Sequence, residues 1–136
     1  MSNEQKSQKL QVELNSLKGK VGINLDEFHN KKVTIESIEV KHSIVNRNGV
    51  NEDNYFLEIK SSPLNDKGMC ARNFISLWKD EETGEFNYSK NTGSNAFKFL
   101  TFFNIENFEE AVGKETSTIV RLNDNGTKKL EIYFGQ

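Results

Sequence analysis

The residues best suited to chemistry in this chain are aromatic and cationic side chains that alternate along two short β-prone segments. In Tyr55-Phe-Leu-Glu-Ile-Lys60, Tyr55, Leu57 and Ile59 share one parity, and Phe56, Glu58 and Lys60 the other. Around Cys70 to Trp78, Met69, Ala71, Ile75 and Leu77 make the better core set, which sends Arg72, Phe74, Ser76 and Trp78 to the opposite face. Two such strands side by side would present rings interleaved with cations. A single nucleic-acid strand needs that combination: unpaired bases stack on aromatic faces, at about 1–3 kcal/mol per base, while Lys and Arg follow the phosphates. Arg47, in the polar stretch ahead of these segments, and Lys128, near the last turn, are placed to close over a bound strand from either side. The plainer reading makes Phe74 and Trp78 ordinary core under the N-terminal segment or the 79–90 hairpin, with Lys60 and Arg72 a solvated face.

Other chemistry has little to work with. His29 and His42 are the only histidines and Cys70 the only thiol. No spacing among them suggests a zinc site, a phosphate-cradling glycine loop or a nucleophile elbow. His42 falls at the end of a strand and reads as solvated, and the acidic pairs Glu81-Glu82 and Glu109-Glu110 sit beside turns, where such pairs normally face water. The expectation is therefore a protein that is not an enzyme and carries no cofactor or metal. With one cysteine no internal disulfide forms, which fits a reducing compartment and makes the cytoplasm the default.

The net charge of −2 argues against a generally basic binder. The charge is unevenly spread, however. Residues 1–79 hold 12 Lys and Arg against 10 Asp and Glu, and residues 80–136 hold 6 against 10, so a local basic groove is still allowed. No segment approaches the roughly 20 apolar residues of a membrane span, and Met1 to Lys20 has no apolar run of the kind a secretory signal requires. No membrane partner is expected.

The elements that would position the aromatic face follow from periodicity. Residues 1–30 read as an N-terminal helix or flexible extension: Leu10, Leu14 and Leu17 fall at helical spacing before Gly19, and Leu25 to Phe28 form a single turn. The leucines offer a self-association stripe for a homo-oligomer, although three without a sustained heptad favour a helix lying on the domain or a frayed tail. From Lys31 to Val40 the apolar parity switches between Val33/Ile35 and Ile38/Val40, which predicts a β-bulge near Glu36 and Ser37. Asn46 to Asn54 reads as a polar loop, Tyr55 to Lys60 as the second strand and Cys70 to Trp78 as the third. A small hairpin extension follows Glu82-Thr-Gly84. Ser94 caps a helix from about Asn95 to Phe103, and Asn107 to Val112 forms one more turn. Thr116 to Leu122 and Lys128 to Phe134 make a terminal hairpin around Asn123-Asp-Asn-Gly126.

This order predicts an all-β domain with one helix over residues 31–136, a five-stranded OB-fold barrel (β-β-β-α-β-β). Lys31-Lys-Val-Thr-Ile leads into a long first strand, Gly84 and Ser94 stand ahead of Phe97-Lys-Phe-Leu100, and Ala111-Val-Gly-Lys114 comes before the fourth strand. In these features the chain resembles OB-fold single-strand binders of the replication protein A and archaeal or viral type. The resemblance implies binding of single-stranded DNA or RNA, with DNA preferred, and a place in replication. These motifs are architectural rather than chemical. The chain lacks the acidic tail of bacterial single-strand binding proteins and the cysteine cluster of zinc-bearing replication protein A domains, so it is close to neither. The alternative function is an OB-type protein-interaction module using the same aromatic face.

Overall fold

The computed structural model describes residues 24–136; the predicted helix of Ser7 to Lys20, with its leucine stripe, lies outside them. Strands β1 (Lys32–Arg47), β2 (Val50–Ser61), β3 (Arg72–Lys79), β4 (Phe86–Asn87), β5 (Glu115–Leu122) and β6 (Lys128–Ile132) form one antiparallel sheet in the order β4-β3-β2-β1-β5-β6. The helix α1 (Asn95–Phe103) lies between β4 and β5 in sequence. No helix among the described residues is long and apolar enough to cross a membrane.

The parity switch in β1 does produce a bulge. Ile35 stands opposite Ser61 and Ser37 opposite Lys60, so Glu36 is the extra residue. Before the bulge β1 pairs with β5 through Lys32 to Thr34, and after it the strand runs with β2 alone. Both strands extend well past their expected limits. Asn46 to Asn54 is not a loop: Asn48 and Gly49, at φ +53° and +83°, turn the chain in two residues, and pairing continues to Arg47 and Val50. Asn-Gly in this left-handed geometry is the preferred two-residue hairpin turn, because its twist matches that of the strands.

Inward-facing Ile35, Leu57, Ile59, Ala71 and Ile75 meet Ala96, Phe99 and Phe103 of α1 and Ile132 and Phe134 of the C-terminal segment. Phe99 is at the centre, its ring packed against those of Phe103, Phe108 and Phe134. Ala96, Phe99 and Phe103 repeat at helical spacing, the Ser94 side chain accepts the Phe97 N–H at 3.2 Å, and Asn104 ends the helix in the left-handed conformation. A single turn at Leu25–Phe28 closes the opposite side. The Thr118 hydroxyl donates to the Phe28 carbonyl, and the Asn30 N–H donates to the Thr118 carbonyl at 2.9 Å.

The sheet remains open between β3 and β6, where no backbone ladder forms. One side chain spans the gap. The Ile132 N–H donates to Asn73 Oδ1 at 2.7 Å, and Asn73 Nδ2 donates to the Ile132 carbonyl at 3.1 Å. Asn73 is buried, so its amide both satisfies itself and takes the place of a missing backbone rung. The short β4, paired with β3 at Trp78 and Lys79, is the sixth strand.

Candidate nucleic-acid interface

The alternation of β1, β2 and β3 sorts their side chains into an inward and an outward set, and strand pairing lines up the outward ones in rows. Ser37, Lys60 and Arg72 form one row; Glu39, Glu58 and Phe74 the next; Lys41, Phe56 and Ser76 the third. Trp78 continues the same face at the end of β3, opposite Asn87. Farther along the hairpin, Val45 faces Glu52 and Arg47 faces Val50.

Phe56, Lys60, Arg72 and Phe74 are therefore neighbours on one surface, with Trp78 one step beyond. Phe74 and Trp78 are 55% and 52% exposed, and the Phe56 and Phe74 rings meet edge to face at 5.5 Å. The contact orients the pair while Phe74 stays half-exposed. Arg47 shares this face near the hairpin tip, in an ion pair with Glu52 at 3.6 Å. It lies six residues from Lys41, about 20 Å along the strand. Lys128 is held elsewhere: its ammonium pairs with Asp26 of the N-terminal turn at 2.7 Å.

Lys41 is a member of this face that the sequence reading left out. Its parity follows from that of Ile38 and Val40, but ending the first strand at Val40 hid it. Its ammonium lies 3.0 Å from Glu39. The hydrogen bond and charge of each raise the Lys41 amine above its usual range and lower the Glu39 carboxyl below its own, so both stay ionised. Glu39 and Glu58 place two carboxylates among the cations Lys41, Lys60 and Arg72, which holds the net charge of the face to a small positive value.

Beside Phe74 a groove of about 310 Å³ lies over the gap between β3 and β6, lined in part by Lys98, Arg121, Asn95 and Asn123. Arg121 Nε stands 3.3 Å from Glu131. On the inward face of the hairpin, past the core, His42 stacks on Tyr55 at 4.8 Å and Tyr55 meets Phe86 at 5.1 Å. His42 Nε2 lies 2.8 Å from Asp53, and the Lys79 ammonium sits about 6 Å from both the Tyr55 and the Phe86 ring centres. Only the strand pairing brings these residues together; nothing in their sequence spacing does.

Among the described residues no group of three or more His, Cys, Asp and Glu is arranged to hold a metal ion. No family model, curated protein or solved structure matches the chain.

Proposed function

We propose that this protein binds single-stranded nucleic acid, preferentially DNA, on the outward face of β1, β2 and β3, without catalysing a reaction. The observation that carries this reading is the pair of half-exposed rings, Phe74 and Trp78, on one surface with Phe56 and the cations Lys41, Lys60 and Arg72. Bases stack on the rings, and the phosphates run past Lys60 and Arg72 toward Arg47 on the hairpin arm. Lys98 and Arg121, beside Phe74, extend the cationic track on the far side, the role first expected of Lys128.

The wider reading is an OB-type barrel related to replication single-strand binders. The strand order β3-β2-β1-β5-β6, the helix inserted before β5, and the Asn73 bridge between the two edges support it. A protein partner on the same face is the competing reading, favoured by Glu39 and Glu58 among the cations.

Titration of the full chain with a labelled oligothymidine of about 20 nucleotides, followed by anisotropy, separates the two readings. Single-strand binding predicts micromolar or tighter affinity that falls with salt. Five phosphate contacts, at Lys60, Arg72, Arg47, Lys98 and Arg121, give a slope of log K on log salt of about −3.5. Absence of binding at low salt refutes it and leaves the protein-interaction reading.

A further inference from the structure

Among the described residues the hairpin arm has one side without a partner strand. Beyond Ile35, whose N–H and carbonyl are taken by Lys114 and Gly113, no strand among the described residues lies along the second edge of β1 from Glu36 to Arg47. The two-residue turn closes with Arg47 and Val50 bonded to each other, so alternation turns the amides of Ile38, Val40, His42, Ile44 and Asn46 away from β2. Their side chains share the inward face, and none is Lys, Arg, Asp, Glu or Pro, the residues that usually protect an edge from pairing. Val40 and Ile44 are 49% and 66% exposed.

We propose that two copies of this chain associate by antiparallel pairing of their β1 arms, with Ser43 of one opposite Ser43 of the other. Two independent constraints favour this register over its neighbours. The first is length. With Ser43 at the two-fold axis, the Asn48-Gly49 turn of one copy reaches Ile38 and Ser37 of the second and stops short of Ile35, where Gly113 and Lys114 already occupy the edge. Moving the axis to His42 drives the turn into that segment. The second is charge. The chosen register sets Glu39 opposite Arg47 twice and Lys41 opposite Val45, whereas an axis at Ile44 would oppose Lys41 to Arg47 and an axis at Lys41 would oppose two lysines. Pairing covers Ile44 with His42 of the second copy, satisfies the outward amides, and forms the isologous contact of a closed dimer. The partner is thus a second copy of this chain, bound through the arm and independently of the leucines at residues 10–17.

The test uses the full chain with Cys70→Ser, so that the only thiol is an introduced one. Ser43 lies in a pair without direct backbone hydrogen bonds in this register, where Cα atoms approach to about 4.5 Å, within disulfide range. Ser43→Cys is expected to cross-link to a dimer under mild oxidant. Arg47→Cys, about 26 Å from its own counterpart, is expected to stay monomeric. By sedimentation at about 50 µM the parent chain is expected at twice its 15.6 kDa mass, and Ile44→Lys to weaken the dimer at least tenfold. A monomeric parent overturns the proposal. So does a dimer that survives Ile44→Lys and gives no Ser43→Cys cross-link, since that dimer is held by another surface.

Discussion

The β1–β2 hairpin has two ends made from the same pair of strands, and they differ in everything except pairing. At one end Ile35, Leu57 and Ile59 are buried in the core with α1 and Ser61 is buried beside them, with β3 and β5 as neighbours. At the other, from His42 to Arg47 and Val50 to Asn54, two strands have no described element packed on either face and carry a histidine, three asparagines and four charged or hydroxyl side chains among three β-branched apolar ones. Pairing is regular from Ser37 to the turn and is interrupted only by the Glu36 bulge at the packed end. The packed end is stabilised chiefly by burial, and the arm by its turn and by cross-strand contacts such as His42 on Tyr55. The packed end can therefore serve as a fixed platform, while the arm presents side chains and edges that are free to meet another molecule.

The largest expected effect tests that contrast directly. Ile59→Ala, at a fully buried site, is expected to lower stability by about 2–5 kcal/mol in urea titration, through lost transfer energy and the cavity left behind. Val50→Ala on the arm is expected to change it by less than about 0.5 kcal/mol. Equal losses at the two sites would show that the arm is part of the cooperative core. Next in size is Asn73→Ala, which leaves the Ile132 N–H and carbonyl without their partner and is expected to cost about 1–3 kcal/mol. Asn73→Asp keeps the acceptor but loses the donor and buries a carboxylate against the Ile132 carbonyl, so at pH 7 it is expected to cost at least as much as Asn73→Ala.

The smallest effect distinguishes a carboxylate held by backbone N–H groups from one on the outward face. Glu110 accepts the N–H groups of Asn107 and Glu106, both at 3.0 Å, and these bonds hold its carboxyl below the usual range. A depressed folded value means that the contribution is present above the unfolded value of about 4.3 and is lost as pH falls through the folded one. Glu110→Gln is expected to reduce the urea midpoint at pH 7 slightly, and the gap from the parent to close as the medium is acidified below about pH 4. Glu39→Gln on the outward face is expected to move oligonucleotide affinity upward more than it moves the midpoint, because it frees Lys41.

Much of this arrangement was legible in the sequence, for reasons visible in particular residues. The parity change from Val33/Ile35 to Ile38/Val40 located the bulge, and Ser94 with Ala96, Phe99 and Phe103 defined α1. The apolar set of the third strand left Phe74 and Trp78 on the exposed face where they stand. The arm was missed because a ribbon with no described element packed on either face has no apolar alternation to detect, although Asn48-Gly49 was the available signal. Asn73 was missed as a structural residue because a polar side chain at an inward position shows its role only when its partner, 59 positions away, is known. The same limit applied to Lys128, whose carboxylate partner lies 102 positions away.

The most direct test of the account is the fluorescence of Trp78, the only tryptophan, during titration with oligothymidine, compared between the parent chain and Phe74→Ala. Stacking on this face predicts quenching of Trp78 on binding and an affinity about 5- to 150-fold weaker in Phe74→Ala, the equivalent of about 1–3 kcal/mol for one stacked base, with little change in stability. Binding that leaves Trp78 unquenched and is indifferent to Phe74→Ala would contradict the account, because the strand would then lie on some other surface of the molecule.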